Sequence, residues 1–534
     1  MGRKRPQAGG RHRLRFPAAL LCLCLTTSAA FAADPPRGGS AIFVLSQDPA
    51  TANPSVSSNV PDRILGCIIY QGLIEVTLDY KIIPLLAKSW TISPDGLTYT
   101  FDLISARWQD GQAFTGDDVK YSLLDVDAKY SAIFAPAGRV IDTIDTPAPD
   151  QVVIKLKQPF GPFLLSLGCI QGGAILPAHL FRGTDILRNP ATTDRPVGTG
   201  AFKVTEWQHG DHIRLERNPD YAAPGKPYLD EIIGKVIPQS TSRTQALQSG
   251  EVDLIYSPPG SDLAAIRADP KLKLVTADTP PLSSILFFNT ARKPFGDKRV
   301  RQALFMATDR DYILKTAFQG VGSVGRMPFT TDIPWAANTD IDYRTMYPFD
   351  PKRANTLLDE AGAIRGPDGK RFAAHIAVFA TQYPEFQQVA LAMKSMWQAV
   401  GVDLVIDALE DQTYLKRIYL DRDFDLSLVT YTSYSDPALG IARTFVTASI
   451  GRPYGNAAQY SNPDVDKLFL QGETATSLDD RGKFYRKAQA ILALDLPVLQ
   501  LRQYKDTVGA SRKLNGLWGE VQGNGNWPNA WMDK

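Results

Sequence analysis

The chain is predicted to be a multi-domain α/β protein, and three observations lead there. At 534 residues it is too long for a single hydrophobic core. Its apolar share of 44% and charged share of 21% are those of an ordinary globular protein. Short alternating runs of strand type mix with amphipathic helical runs, most regularly in the second half.

The N-terminus has a composition of its own. Arg3, Lys4, Arg5, Arg11, Arg13 and Arg15 form a basic stretch, followed by apolar Phe16–Leu25 and the small-residue run Thr26–Ala33. Ala30-Phe31-Ala32 fits the small-x-small rule, so residues 1–32 read as a signal peptide cleaved after Ala32. The apolar part, about ten residues, is too short to cross a bilayer, which needs about 20. Cys22 and Cys24 lie inside it without the pattern of a lipid-anchor site. No later segment has 18 uninterrupted apolar residues, so the mature protein is expected to be soluble and exported. Losing six basic side chains and no acidic ones takes the formal charge from +2 to −4. No basic domain remains to suggest nucleic acid.

Beyond the signal, Ala41–Leu45 reads as a first strand closed by the loop Ser46-Gln47-Asp48-Pro49. Thr98–Leu103 and Gln151–Leu156 alternate as half-buried strands, with turns such as Ser93-Pro94-Asp95-Gly96 between. Asp297–Phe318 carries apolar residues at helical spacing, as does Glu385–Val400, where Gly401 stands at the place of a C-cap glycine. Val402–Ile406 and Phe424–Val429 follow as strands.

The mature chain keeps two cysteines, Cys67 and Cys169. An oxidising compartment permits a bridge, but burial is common for free cysteine and two buried thiols is the plainer expectation. No phosphate loop, nucleophile elbow or His-Glu-x-x-His run is present. Of His179, His209, His212 and His375, the pair His209 and His212 could share a turn, but no Cys or carboxylate cluster at ligand spacing accompanies them, and they are expected on an exposed loop. The sequence calls for no catalytic residues, no metal and no cofactor.

Four blocks then carry a family resemblance. The first runs from Tyr70-Gln71-Gly72-Leu73-Ile74-Glu75 through Ile83–Trp90 and Ser93–Phe101 to Trp108–Gly111 and Phe114–Val119. The second joins Val197–Phe202, Arg217–Tyr221 and Ala246–Asp253. The third is Phe288-Asn289-Thr290 with Asp297–Ala303 and Asp309-Arg310, and the fourth Tyr460–Asp466 with a helix at Tyr485–Pro497. In this order they resemble the peptide/nickel-type (family 5) extracellular solute-binding proteins of ABC importers. Gly96, Gly111 and Gly198 suit turns of positive φ, and Trp90 and Trp108 suit core packing.

The resemblance implies an α/β, two-lobed type II periplasmic-binding-protein fold with an additional inserted domain in the first lobe. It places the first lobe at 33–80, 190–284 and 501–534, the insert at 81–189 and the second lobe at 285–500. It implies a periplasmic carrier, monomeric and not an enzyme, whose partners are a small-molecule ligand and the permease subunits at the inner membrane. The lobes would close on the ligand by a hinge motion.

In peptide-binding relatives an aspartate four residues before a proline pairs with the peptide ammonium. Here the segment is Thr430–Pro437, and the matching position is Ser433, which carries no charge. Asp436 could substitute, although its place before Pro437 reads more simply as a turn. Arg443 could clamp a carboxylate. Tyr431 and Tyr434 offer flat faces with hydroxyls, Tyr383 matches a loop lining the family cleft, and Gln47 and Gln171 are the polar candidates from the first lobe and insert. These residues point to a peptide-like, amino-acid-conjugate or opine-like ligand. A nickel or haem chelate carrier is the alternative, followed by a secreted hydrolase or chaperone-like interaction protein.

Overall fold

The structure, a computed structural model, describes residues 35–533 except 58, 132, 380–382, 384 and 524. The signal segment therefore lies outside the described residues. Among the described residues no helix is long and apolar enough to cross a membrane.

Two large sheets organise the chain. The first has seven strands in the order 272–276, 507–511, 254–256, 40–45, 231–236, 212–217 and 202–208. Ser40–Leu45 sits near its centre, parallel to Glu231–Val236 on one side and Leu254–Tyr256 on the other. The second has six strands in the order 323–324, 498–504, 282–288, 426–432, 372–379 and 402–409. Phe372–Phe379 runs parallel to Val402–Leu409, and helix Glu385–Ala399 makes the crossover that a parallel pair requires. The helix ends as its sequence predicts, with Gly401 in the left-handed region at φ +86°.

Both faces of the second sheet are covered, which explains why Leu426–Thr432 is buried along nearly its whole length. Leu286, Leu428 and Ile376 pack with Trp397, Met393 and Val300 on one face. Phe287, Val429 and Tyr431 pack with Phe469, Tyr485 and Leu492 on the other. A separate four-stranded sheet, Ala87–Ile92, Thr98–Leu103, Gln151–Leu156 and Ile141–Ala148, builds its own core around Phe101, Trp108 and Ile154.

The chain passes from the first sheet to the second at 277–281 and returns at 505–506. The two passages lie side by side, with Ala277 N donating to Asp506 O at 2.7 Å. Two adjacent short crossovers of a few loop residues are the kind of element that can absorb a hinge rotation.

Several sequence expectations need correction. Asp297–Phe318 is two helices, Lys298–Met306 and Arg310–Thr316. Thr308 turns its hydroxyl back to Leu304 O and receives Trp397 Nε1, and Asp309 restarts the helix by accepting from Tyr312 N. Gly198 has no positive φ; a Cβ there would lie 1.9 Å from Ile69 O, so close approach is what demands glycine. Gly96 and Gly111 do have positive φ, at 69° and 90°. Trp108 is fully buried, whereas Trp90 is half-buried at the edge of its core. His212 opens strand His212–Arg217 and is half-buried; exposed His209 bonds Asp48 and Asp194. Cys67 and Cys169 are not thiols but a disulfide, with Cα atoms 5.9 Å apart.

Candidate ligand-binding cleft

The end of strand Leu426–Thr432 carries the residue cluster of greatest chemical interest. Tyr434 and Ser435 both adopt left-handed backbone, with φ of 48° and 66°. Such conformations are costly for residues with a Cβ and persist where surrounding contacts hold them. Here the contacts are explicit. Ser435 Oγ donates to Gln522 Oε1 at 2.5 Å, and the Tyr434 ring lies under the guanidinium groups of Arg63 (5.9 Å) and Arg443 (5.4 Å). Arg63 and Gln522 belong to the first-sheet side, so this loop crosses the seam between the lobes.

Arg443 sits on the short helix Ala442–Phe445 with its guanidinium 4.9 Å from the Tyr431 ring as well. Two aromatic faces hold it by cation–π attraction. Its Nε donates to Gly440 O at 3.1 Å, and no carboxylate pairs with it among the described residues. The Tyr431 hydroxyl donates to Gly455 O at 2.8 Å and meets Tyr419 Oη at 3.1 Å. Burial pushes that hydroxyl's pKa far up, against the Arg443 charge that draws it down.

Ser433 is 5% exposed, and its Oγ has no hydrogen-bond partner among the described residues. It borders a small pocket of about 30 Å³ with Tyr431, Thr330, Phe329, Thr444 and Gln500, whose Oε1 is also unpartnered among the described residues. Gly440 closes one wall; a Cβ there would lie 2.2 Å from the Ser433 carbonyl. Asp436 faces away. Its carboxylate accepts from Ala438 N at 2.9 Å, capping the turn Pro437–Ile441, and from Arg481 Nη2 at 2.8 Å. Both roles are structural.

The remaining candidates lie elsewhere. Tyr383 packs on Phe379 and Phe386 and faces Tyr504, Asp506 and Glu385 at the crossover, where burial raises its hydroxyl pKa. Gln47 is exposed in the turn after the first strand, beside Asp48, which anchors that turn to Trp207 and His209. Gln171 is 3% exposed in the turn that carries Cys169, with Nε2 unpartnered. The structure thus brings Tyr431, Ser433, Tyr434 and Arg443 together. Sequence reasoning missed Arg63, Gln522 and Arg481, since none stands in a chemistry-bearing motif. Among the described residues no group of three His, Cys, Asp or Glu is placed to hold a metal ion.

Comparison with known proteins identifies the family of the chain and neighbours of its fold. The profile of the bacterial extracellular solute-binding proteins, family 5, matches residues 81–451. The chain is 30% identical over 488 residues to the glutathione-binding protein GsiB of Pectobacterium atrosepticum, covering 89% of each chain. It is similar to the periplasmic binding protein DppA of Helicobacter pylori in complex with the peptide STSA, at 26% identity and TM-score 0.78, covering 93% of this chain and 99% of that one. The binding protein AgaA in complex with agropinic acid, from A. tumefaciens R10, matches at 26% identity and TM-score 0.75, with the same coverage.

Proposed function

The chain belongs to the bacterial extracellular solute-binding proteins of family 5, and from that premise we propose that its ligand is a small organic acid held by Arg443. The protein is the solute-binding component of an ABC importer, with a two-lobed α/β fold that captures a small polar ligand between hinged lobes. The observation that carries the ligand reading is a guanidinium over the rings of Tyr431 and Tyr434 without a carboxylate partner among the described residues. It stands beside neutral Ser433, where a peptide-type ammonium anchor would need a negative charge. A guanidinium in this position suits two-pronged recognition of a carboxylate. The relatives' named ligands, glutathione, a peptide and agropinic acid, all carry one.

In this reading the chain is exported to the periplasm by cleavage after Ala32. It acts as a monomer, has no catalytic role and no nucleic-acid partner, and delivers ligand to inner-membrane permease subunits. The lobe division follows the sheets. The first lobe would combine 33–80, about 190–280 and the C-terminal tail, with the insert at 81–189. The crossovers at 277–281 and 505–506 bound the second lobe, a few residues from the 284/285 and 500/501 divisions read from sequence.

Titration calorimetry on the mature protein tests the reading, with glutathione, the peptide STSA and agropinic acid beside their carboxamide forms. Acids should bind and amides should not, and Arg443→Gln should weaken the acids by about tenfold or more. Equal binding of acid and amide would overturn it.

A further inference from the structure

A second cavity, of about 90 Å³, lies in the first lobe against the disulfide. Its polar lining includes Glu75, Gln71, Tyr221, Gln171 and Gln522, and no lysine, arginine or histidine is among its described lining residues. Glu75 makes no ion pair within 4 Å and no hydrogen bond among the described residues. Lys226 acts on it only through space, and Glu520 opposes it. A half-buried carboxylate without a partner among the described residues is unfavourable, and partial burial raises its pKa. Beside it, Gln71 Nε2 donates to Tyr221 Oη at 3.5 Å, while the Nε2 of buried Gln171 has no acceptor among the described residues.

The cavity adjoins the seam that holds Arg443. Gln522 N donates to Val76 O, next to Glu75, at 2.7 Å, while the Gln522 side chain receives Ser435 Oγ from the second lobe. Ser435 follows Tyr434, on whose ring Arg443 rests. We propose that this cavity is an ammonium subsite, in which Glu75 takes the primary ammonium of the ligand and Gln171 Nε2 donates to the oxygen next to it. The ligand is then an amino-acid conjugate with a free α-amino end in the first lobe and a carboxylate at Arg443 in the second. The negative charge absent at Ser433 is supplied from the opposite lobe. This inference rests on the carboxylate reading of Arg443.

Calorimetry with S-methylglutathione and its N-acetyl form tests both ends, the methyl group keeping the probe's thiol away from the disulfide. The wild type should prefer the free amine by about tenfold or more. Glu75→Gln should abolish that preference, and Glu75→Asp, which keeps the charge, should restore part of it and guards against a folding defect. Arg443→Gln should weaken both forms. If Glu75→Gln keeps the preference, the subsite is wrong and the Arg443 reading stands. If Arg443→Gln changes neither form while Glu75→Gln removes the preference, the Arg443 reading fails and the subsite stands. Failure of the wild type to bind either probe would overturn both.

Discussion

Asp436 and Arg481 form an ion pair at 2.8 Å in which both side chains are 3% exposed. Arg481 also lies over the rings of Trp335 (5.0 Å) and Tyr485 (5.8 Å), so it has no route to water. The pair ties the turn that leads to Arg443 to helix Leu478–Asp495. Asp436→Asn keeps an acceptor for Ala438 N but leaves the guanidinium buried and unpaired. Losing one partner of such a pair costs about 3–5 kcal/mol. Urea unfolding should show a loss of that size, with ligand affinity falling as the turn loosens.

The disulfide makes a second prediction. Cys67 in helix Val60–Ile69 and Cys169 are 102 residues apart, so the bridge closes a long loop in the unfolded chain. In the chain-entropy description a loop of about 100 residues contributes about 4.7 kcal/mol, with native strain subtracting from it. Reduction, or the double change Cys67→Ser and Cys169→Ser, should lower the unfolding free energy measured in guanidinium by about 2–5 kcal/mol, and the midpoint with it. Equal midpoints with and without reductant would show that the unfolded chain is already constrained.

Asp127 predicts a dependence on pH. It is fully buried, and burial pushes its carboxyl well above the ordinary value, against the hydrogen bond from Ser55 Oγ at 2.5 Å. Below its unfolded-state pKa of about 3.9 both states hold the proton and the group is neutral in effect. As pH rises past that value the unfolded chain releases the proton while the folded one retains it, so stability falls until the folded group ionises as well. Asp127→Asn should therefore be more stable than wild type at pH 7, with the difference fading as the pH drops below about 4. Thermal unfolding across that range measures it.

Gly440 offers a steric test of the cleft. Its φ is not positive, so alanine is allowed by the backbone, yet a Cβ would meet the Ser433 carbonyl at 2.2 Å. Both partners are backbone and cannot rotate away. Gly440→Ala should shift the Ser433 strand end and cost about 1–3 kcal/mol, as overpacking does. Its larger effect should fall on ligand affinity, since the shifted carbonyl is that of Ser433 and Arg443 Nε donates to the carbonyl of Gly440 itself.

These residues show how much was legible before the structure. Thr98–Leu103 and Gln151–Leu156 coincide with strands because alternation reports a half-buried sheet directly. The helix ending at Gly401 was equally readable from its cap. The break at Thr308 was not, because it depends on Trp397 from a helix 89 positions later. The site divides the same way. Tyr431, Ser433, Tyr434 and Arg443 lie within 13 consecutive positions of one segment and could be read together. Arg63 and Gln522 meet Tyr434 and Ser435 only after the whole chain is folded. Periodicity carries no trace of a contact between residues so far apart.

The hydrogen bonds across the seam predict the equilibrium between the lobes. Ser435 Oγ bonds Gln522, and the Tyr80 hydroxyl bonds Asp332 O, each joining one side of the cleft to the other. Each neutral hydrogen bond contributes about 1 kcal/mol net. Ser435→Ala with Tyr80→Phe removes both without touching Arg443, so the open form should gain about 2 kcal/mol relative to the closed one. A ligand that binds the closed form then meets a smaller competent population, and its apparent affinity falls in proportion. Small-angle scattering of the ligand-free double variant should give a larger radius of gyration than wild type, and saturating ligand should bring the two together. A variant that stays expanded with ligand bound would show that these bonds are needed for closure itself and do more than bias it.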